Sequence, residues 1–480
     1  MKNLKLTFLA VFTVMFYACD DFDTDLEVVN LEQPSSKQIG IQATADKLFQ
    51  NWYNTVNLYN GPGLALVTMA DQQTASYGNA AMRDMSSEPR VSWNNNSTYG
   101  NAVITEDYFN SLHSTLADAN AIVIGVQGDG VFDDVNKYES LARFGQGATL
   151  GYLALVFDRV FASDENGTIN DGNALNYKEA TQLALEKLDL AIAAADRGDF
   201  NMDVQINGMT LSSEQWSQFL NTFAARILVN SARNTEERDN LDWQRVADYA
   251  ENGITYDVEV LSDGWTTWYT EWVYYSIFPG WLRTDQRIIN LMDEGSPDYW
   301  PAGETVLPEA SSEDARLESD FEYLTSQDFS PDRGTYHFSS YRHSRYDYIT
   351  ANGWVAAHPE LPEAENDLYL AEAYLQLEML QEAADVINAG TRVTRGMLDP
   401  VDVDAGAIED AIFYERMIEL INGGMGLGFF EMRANDLLQE GTPKHFPIPG
   451  AALDAAGIPI YTFGGTQGEA GVDYSDGGWR

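Results

Sequence analysis

Apolar residues recur at helical spacing along most of this 480-residue chain. The segment 138–161 is apolar on almost every turn, which predicts a helix deep in the core. Asn176 with Glu179, and Ser212 with Gln215, have the spacing of capping boxes and predict helix starts at 177 and 213. The full pattern predicts helices over 38–58, 105–126, 138–161, 177–197, 213–233, 243–252, 363–377, 381–393 and 404–422.

Between 253 and 362 the pattern changes, because glycine, proline, tryptophan and tyrosine become dense and helical spacing survives only over 284–292. Alternating residues over 336–349 predict a short β-hairpin. We therefore expect a mainly α protein with a few short strands. Its single domain, 37–480, would have a helical scaffold over about 37–252 and 363–422 and a loop-rich ligand layer over about 253–362.

One pair of predicted helices carries a repeat signature. Ala371 and Tyr374 precede Ala383 and Ile387, and the small residue Gly390 follows. These offsets match a tetratricopeptide-like helix hairpin, in which small residues let two helices approach closely. Because one hairpin cannot bury its apolar face alone, we expect the earlier helices to stack with it. The signature predicts architecture and says nothing about function.

The chain begins with the pattern of an export signal. Lys2 and Lys5 precede an apolar run over 6–17, and Ala18 precedes Cys19, the only cysteine. The run is too short for a membrane span of roughly 20 residues and is typical of a signal peptide. We expect 1–18 to be a lipoprotein signal peptide and 19–36 an acidic tether lipidated at Cys19. The alternative is an ordinary secretory signal that is cleaved elsewhere.

The charge balance narrows the choice of ligand. The chain has 28 basic and 74 acidic residues, a net charge of −46. Nucleic acid requires a basic surface and is excluded as a partner, and a polyanionic glycan is disfavoured, so a neutral ligand fits best. Repulsion among the many acidic residues is tolerated best where salt screens it, which suggests a saline or marine habitat. The alternative explanation for the acidic residues is that they solvate a large surface. With Cys19 lipidated, no thiol remains for disulfides or catalysis.

Three stretches of the chain, 364–396, 413–420 and 445–453, resemble motifs of one known family. This is the SusD/RagB family, the surface lipoproteins that accompany TonB-dependent transporters in the outer membrane of Bacteroidetes. The stretch 364–396 resembles the family's repeat hairpin, 413–420 its glutamate-arginine helix, and 445–453 its closing Pro-Ile-Pro element. The stretch 423–433 departs from the family pattern, since it keeps only an aromatic pair and one arginine.

The resemblance implies a helical fold with repeat-like hairpins and a glycan-binding role without catalysis or cofactor. It also implies docking onto a SusC-like TonB-dependent transporter. The acidic residues that follow Cys19 resemble the family's export tract, which implies an extracellular, lipid-anchored position on the outer membrane.

The densest aromatic segment, 263–283, is the first candidate ligand site. A neutral sugar offers an apolar face that stacks on aromatic rings, and rings in a Gly- and Pro-containing loop are harder to bury than rings on a helix. A core role remains the more common fate of such rings, so only two or three are expected to face a ligand. The candidates are Trp268, Trp272, Trp281 and Tyr275, and Trp300 and Trp354 are weaker candidates of the same kind.

A second candidate patch lies between two predicted helices. It contains Trp93, Asn95 and Asn96, with Asp71 and Arg83 upstream. Asparagine amides donate and accept hydrogen bonds and therefore suit paired sugar hydroxyls. The resemblance favours this patch, since loops in this region often line the family's glycan site. An Asn-rich turn beside a structural tryptophan is an equally good interpretation.

Signals for enzymatic or metal chemistry are weak. No spacing among the 74 acidic residues singles out a glycosidase pair. His337 and His343 do not have the spacing of a metal pair, and 164–172 departs from a calcium loop because Gly167 comes too early. We therefore expect that the protein is not an enzyme and has no metal site. The alternatives are a peptide-binding RagB-like member of the same family and, less favoured, a glycoside hydrolase on a helical toroid.

Overall fold

The computed structural model describes residues 36–57, 61–75, 79–128, 132–301, 303–304, 306–325 and 339–465. The structure is mainly helical, with short antiparallel strand pairs. The helices are α1 Ser36–Asp46, α2 Leu48–Asn57, α3 Gly63–Met69, α4 Met82–Met85, α5 Val103–Gln127, α6 Val135–Val156, α7 Tyr177–Arg197, α8 Ser213–Val229, α9 Thr235–Asp239, α10 Trp243–Glu251, α11 Glu271–Ile277, α12 Gln286–Met292, α13 Arg316–Asp320, α14 Tyr348–Ala351, α15 Glu363–Gln376, α16 Leu380–Ala389, α17 Thr391–Thr394, α18 Ala405–Ile418, α19 Leu427–Ala434 and α20 Gly450–Ala456.

The strands are two to six residues long. They are β1 Gln73–Ala75, β2 Arg159–Val160, β3 Ser163–Asp164, β4 Gly167–Thr168, β5 Leu175–Asn176, β6 Asn201–Ile206, β7 Met209–Ser212, β8 Val258–Leu261, β9 Leu282–Thr284, β10 Phe321–Tyr323, β11 Tyr341–His343 and β12 Ala357–Leu361. The pairs are β1–β9, β2–β5, β3–β4, β6–β7, β8–β12 and β10–β11, all antiparallel.

The long helices α5 to α8 form the scaffold, each packed against the next in sequence. Every residue of α6 from Ser140 to Val156 is buried, which confirms the predicted core helix. Both predicted capping boxes are present, at Asn176 with Glu179 and at Ser212 with Gln215. The predicted helix 38–58 is instead two helices separated at Lys47, and the predicted extension of α6 to 161 is replaced by the short strand β2.

The predicted repeat hairpin is formed by α15 and α16. Ala371 and Ala383 are fully buried where the two helices meet, and Ile387 packs with them. The helix α18 covers this pair through Ile408 and Ile412. Small side chains therefore set the close approach of the two helices, as the sequence predicts.

Buried ion pairs hold α18 in the scaffold. Glu415 accepts hydrogen bonds from Arg316 at 2.7 Å, and the neighbouring Arg416 contacts Glu372 at 2.7 Å and Glu431 at 2.8 Å. All five side chains are at most 8 % exposed. Removing one partner of a buried pair leaves an uncompensated charge, so this stretch is under strong structural constraint.

The predicted loop-rich layer contains helices of four to seven residues and short strands in its described part. The hairpin predicted over 336–349 is wrong for the described residues of that range. There β11 pairs with β10, which lies some 20 positions earlier, and the chain then enters α14. Period-two alternation identified a strand but could not identify its partner, because pairing depends on the tertiary arrangement.

The C-terminal region is rich in Gly and Pro, but it still forms helices and packs against the scaffold. It forms α19 and α20. Arg433 of α19 donates to the backbone oxygens of Leu155 at 2.9 Å, Asn230 at 2.7 Å and Lys444 at 2.8 Å. One guanidinium therefore joins the ends of α6 and α8 to the closing segment.

A membrane-crossing helix would need more length and more apolar residues than any helix in the described part of the chain has. Cys19 and the acidic tether lie outside the described residues.

Candidate ligand-binding site

The segment 263–283 is positioned by the β8–β12 pair. After β8 the chain turns at Gly264, whose φ of +83° is a conformation that L side chains rarely adopt. The carboxylate of Asp263 accepts hydrogen bonds from the backbone N–H groups of Thr267 at 3.0 Å and Trp268 at 2.8 Å, which closes the loop before α11. This turn places Trp265 at the outside of the molecule, with 43 % of its surface exposed.

Four rings form what we call the aromatic shelf: Trp265, Phe278, Trp281 and Trp354. Trp265 is exposed, and the other three are half-buried. The centroid of Trp265 lies 5.3 Å from that of Trp354, 6.2 Å from Phe278 and 6.3 Å from Trp281. Phe278 and Trp281 are 4.3 Å apart. Such offset and tilted contacts are favoured between aromatic rings and make a rigid apolar surface.

The buried ring of Tyr274 supports the shelf from below. It lies 4.7 Å from Trp265 in an edge contact and 4.9 Å from Trp354. Its hydroxyl donates to the backbone oxygen of Gly264 at 3.0 Å. The N–H of Gly264 in turn donates to the oxygen of Trp354 at 2.9 Å. The two loops that carry Trp265 and Trp354 are therefore fastened to each other and to α11.

The N-terminal part of the chain reaches the other side of the shelf. Tyr275, which is buried, contacts Trp281 at 4.9 Å, and its hydroxyl accepts a hydrogen bond from the side chain of Asn79. The strand pair β1–β9 brings these segments together. Residues far apart in sequence therefore support the shelf.

Two of the predicted stacking residues are in the core, and the expectation that they face solvent is corrected. Trp268 is 8 % exposed and packs 4.9 Å from Tyr53, and Trp272 is 1 % exposed. A Cβ at Gly63 would lie 2.6 Å from the ring of Trp272, so this indole lies directly against backbone. Neither ring offers a face to a ligand, because α2 and α3 cover them. Tyr275 is also buried, whereas Trp281 lies in the shelf.

The second candidate patch, which we call the amide loop (residues 93–99), is closed by the C-terminal segment. Trp93 is 1 % exposed and packs 4.9 Å from Phe446. The side-chain amide of Asn95 donates to the oxygens of Ile448 and Tyr461, both at 3.0 Å, and its oxygen accepts from the N–H of Gly450 at 3.1 Å. The interpretation as a turn beside a structural tryptophan is therefore the one that fits the geometry.

The remaining predicted residues are distributed between core and surface. Asp71 is fully buried and pairs with Arg90 at 2.9 Å, so the expectation that it is open to a ligand is corrected. Asn96 is exposed, and its side-chain oxygen accepts hydrogen bonds from the backbone and hydroxyl of Thr98, which is a local turn. Arg83 is exposed on α4. The structure does not gather these groups around the aromatic shelf.

Trp265 and Phe278 are site residues that the sequence does not single out. Trp265 directly follows Asp263-Gly264, and Trp354 directly follows Asn352-Gly353. A tryptophan placed immediately after a turn dipeptide with a glycine is a signal for an outward ring, because the turn projects from the surface. Trp268 and Trp272 lack this signal and have the spacing of a helical face.

Titratable groups near the shelf are shifted by burial. Burial, followed by the charge of Glu271, raises the pKa of Tyr269 to about 12. Burial raises the pKa of Glu271 to about 7. Within the described residues, no group of three or more His, Cys, Asp or Glu side chains could hold a metal ion. A groove of about 810 Å³ elsewhere is lined by Asp293, Asp410 and Arg392, and no shelf residue lines it.

Solved structures with similar folds come from Bacteroides species. A SusD superfamily protein from Bacteroides vulgatus ATCC 8482 aligns over 88 % of this chain and 98 % of its own, with a TM-score of 0.60 and 14 % identity. Surface glycan-binding protein A from Bacteroides uniformis gives the same coverage and identity with a TM-score of 0.57. A SusD-like carbohydrate-binding protein from Bacteroides fragilis NCTC 9343 covers 82 % and 85 %, with a TM-score of 0.56 and 12 % identity.

No protein-family model matches the sequence. No curated protein matches it either. The structural similarity extends over most of both chains in each of the three cases, and it agrees with the predicted mainly α architecture with short strand pairs. The chain therefore has the SusD-like fold.

Proposed function

We propose that this protein is a non-catalytic cell-surface lipoprotein that binds a neutral oligosaccharide or polysaccharide on the aromatic shelf. The observation that carries the proposal is the solvent-open indole of Trp265 in rigid contact with three half-buried rings. Rings held in this way bind the apolar face of a sugar at low entropic cost. The names of the similar structures, which include a surface glycan-binding protein and a carbohydrate-binding protein, support the same ligand class.

Charge supports a neutral ligand. With a net charge of −46, the chain repels anionic polymers at long range. Several basic side chains of the described residues are held in buried ion pairs, such as those of Arg316 and Arg416, and cannot offset the acidic surface. A sugar without charge avoids this repulsion, and stacking supplies the binding free energy.

A lipid anchor at Cys19 and a transporter partner complete the proposed function. Cys19 is lipidated and anchors the protein on the extracellular face of the outer membrane, and the bound glycan passes to a SusC-like TonB-dependent transporter. The signal pattern before Cys19 and the acidic residues after it support the anchor. Replacing Cys19 with Ser is expected to move the protein from the membrane fraction to the soluble fraction. A Cys19→Ser protein that stays in the membrane fraction would contradict lipid anchoring at this residue.

Affinity electrophoresis against neutral polysaccharides tests the binding site. The purified protein is run through gels that contain starch, laminarin, galactomannan or xylan, and retardation is compared for the wild type, Trp265→Ala and Trp300→Ala. Trp265→Ala is expected to weaken binding about tenfold, since stacking on one ring contributes roughly 1–3 kcal/mol. Trp300 is half-buried outside the shelf and serves as the matched control.

The melting temperature of each variant distinguishes a loss of glycan binding from a loss of folding. Because Trp265 is 43 % exposed, its removal should leave the melting temperature nearly unchanged. Equal retardation of the wild type and Trp265→Ala would show that the ligand does not use the shelf. A wild type that no neutral polysaccharide retards would contradict the proposed ligand class.

A further inference from the structure

The first residue of α11, Glu271, is a buried acid beside the aromatic shelf. Its side chain is only 3 % exposed. Among the described residues, no hydrogen-bond donor or basic group partners its carboxyl. Buried carboxyl groups are normally paired or hydrogen-bonded, because an unpaired buried charge is costly. An acid left without a partner in the free protein is therefore a feature that calls for a functional explanation.

Helical spacing places Glu271 on the side of α11 that supports the shelf. Residues three and four positions apart share a helix face, so Glu271 shares its face with Tyr274 and Tyr275. Tyr274 supports Trp265 and Trp354, and Tyr275 contacts Trp281. The ring of Tyr269, two positions earlier, lies 5.2 Å from that of Tyr274, and burial, followed by the charge of Glu271, raises the pKa of Tyr269.

Several other polar groups of this region already have hydrogen-bond partners. Asp263 accepts from two backbone N–H groups, the Tyr274 hydroxyl donates to Gly264, and the Tyr275 hydroxyl accepts from Asn79. Unlike the carboxyl of Asp263, the carboxyl of Glu271 accepts no hydrogen bond among the described residues. Stacking alone distinguishes sugars poorly, whereas a fixed hydrogen-bonding group selects for a hydroxyl at one position.

The charged groups on the elements around α11 do not neutralise Glu271. Arg283 of β9 donates to the oxygen of Pro279 at 2.7 Å, and Arg342 of β11 pairs with Asp347, so both act near the opposite end of the helix. His343 of β11 lies beside Asn422, and α3 has no ionisable side chain. Asp263 and Tyr269 are the titratable groups on the preceding loop. Burial is therefore the cause of the raised pKa of Glu271.

We propose that Glu271 is a specificity-determining residue of the shelf, whose carboxylate accepts a hydrogen bond from a hydroxyl of the bound sugar. This inference rests on the proposed function. A hydroxyl that donates to the carboxylate stabilises its ionised form, so ligand binding lowers the pKa of Glu271 from about 7. By linkage, the affinity must rise as the pH increases through that range.

The test compares pH profiles of binding for matched variants. The polysaccharide that retards the wild type most strongly in the panel of starch, laminarin, galactomannan and xylan is titrated at pH 6 and pH 8. The wild type is expected to bind about threefold to tenfold more tightly at pH 8, since a lowering of the pKa by one unit corresponds to a factor of ten. Glu271→Gln removes the titrating group and is expected to bind several-fold more weakly at pH 8, with no change between the two pH values.

Glu259→Gln is the control, because Glu259 is an exposed glutamate on β8 and the variant makes the same change of charge. It is expected to keep the affinity and the pH profile of the wild type. A Glu271→Gln profile that still rises like that of the wild type would overturn the role of Glu271, while loss of binding in Trp265→Ala would leave the shelf proposal standing. If Trp265→Ala also binds like the wild type, the shelf proposal fails, and the role of Glu271 fails with it.

Discussion

The aromatic shelf and the amide loop both present a tryptophan in a loop, yet Trp265 of the shelf is open to solvent and Trp93 of the amide loop is buried. In the amide loop, the C-terminal segment accepts from both N–H groups of the Asn95 side chain and donates to its oxygen. In the shelf, nothing in the described residues covers Trp265 to that extent, and 43 % of its surface stays open. The difference shows that composition alone does not decide whether a tryptophan in a loop stays open to solvent, because a distant segment of the chain can cover it.

The sharpest contrast is expected when a ring is removed from each region. Trp93→Ala deletes a fully buried indole that packs on Phe446 and should lower the free energy of unfolding by about 3–5 kcal/mol. Trp265→Ala should lower it by less than about 1 kcal/mol, because much of that ring is already in water. Urea denaturation of both variants measures the two changes. Similar losses of stability would show that the shelf is as much a part of the core as the amide loop.

Two adjacent asparagines sharpen the comparison within the amide loop. Asn95→Ala leaves the oxygens of Ile448 and Tyr461 and the N–H of Gly450 without their partner, and should cost about 2–3 kcal/mol. Asn96→Ala, its control, loses only an exposed local turn and should cost less than about 0.5 kcal/mol. Thermal unfolding distinguishes the two. If Asn96→Ala also weakened glycan binding, the amide loop would contribute to the site through its exposed residue.

Much of the scaffold is predictable from sequence because helices depend on local signals. The capping boxes at Asn176 and Ser212, the buried face of α6 and the small residues of the α15–α16 hairpin all follow from short-range spacing. The site depends on long-range contacts instead. Trp268 is buried because α2 covers it, and Asp71 is buried in an ion pair with Arg90. A single sequence carries no local signal for these contacts, so it predicted the aromatic segment with Trp281, and also Trp354, but did not single out the exposed ring of Trp265.

The smallest expected change tests whether the turn itself keeps the shelf open. Gly264 has a φ of +83°, and an added Cβ would meet no atom within 4 Å, so Gly264→Ala introduces backbone strain without a clash. The cost should be about 1 kcal/mol. If the turn relaxes, Trp265 moves away from Trp354, and glycan affinity falls severalfold. Gly100→Ala is the control, since Gly100 also has open space and its φ is not positive. Equal affinity of Gly264→Ala and the wild type would mean that the contacts of Trp265 with Tyr274 and Trp354 hold the ring in place without help from the turn.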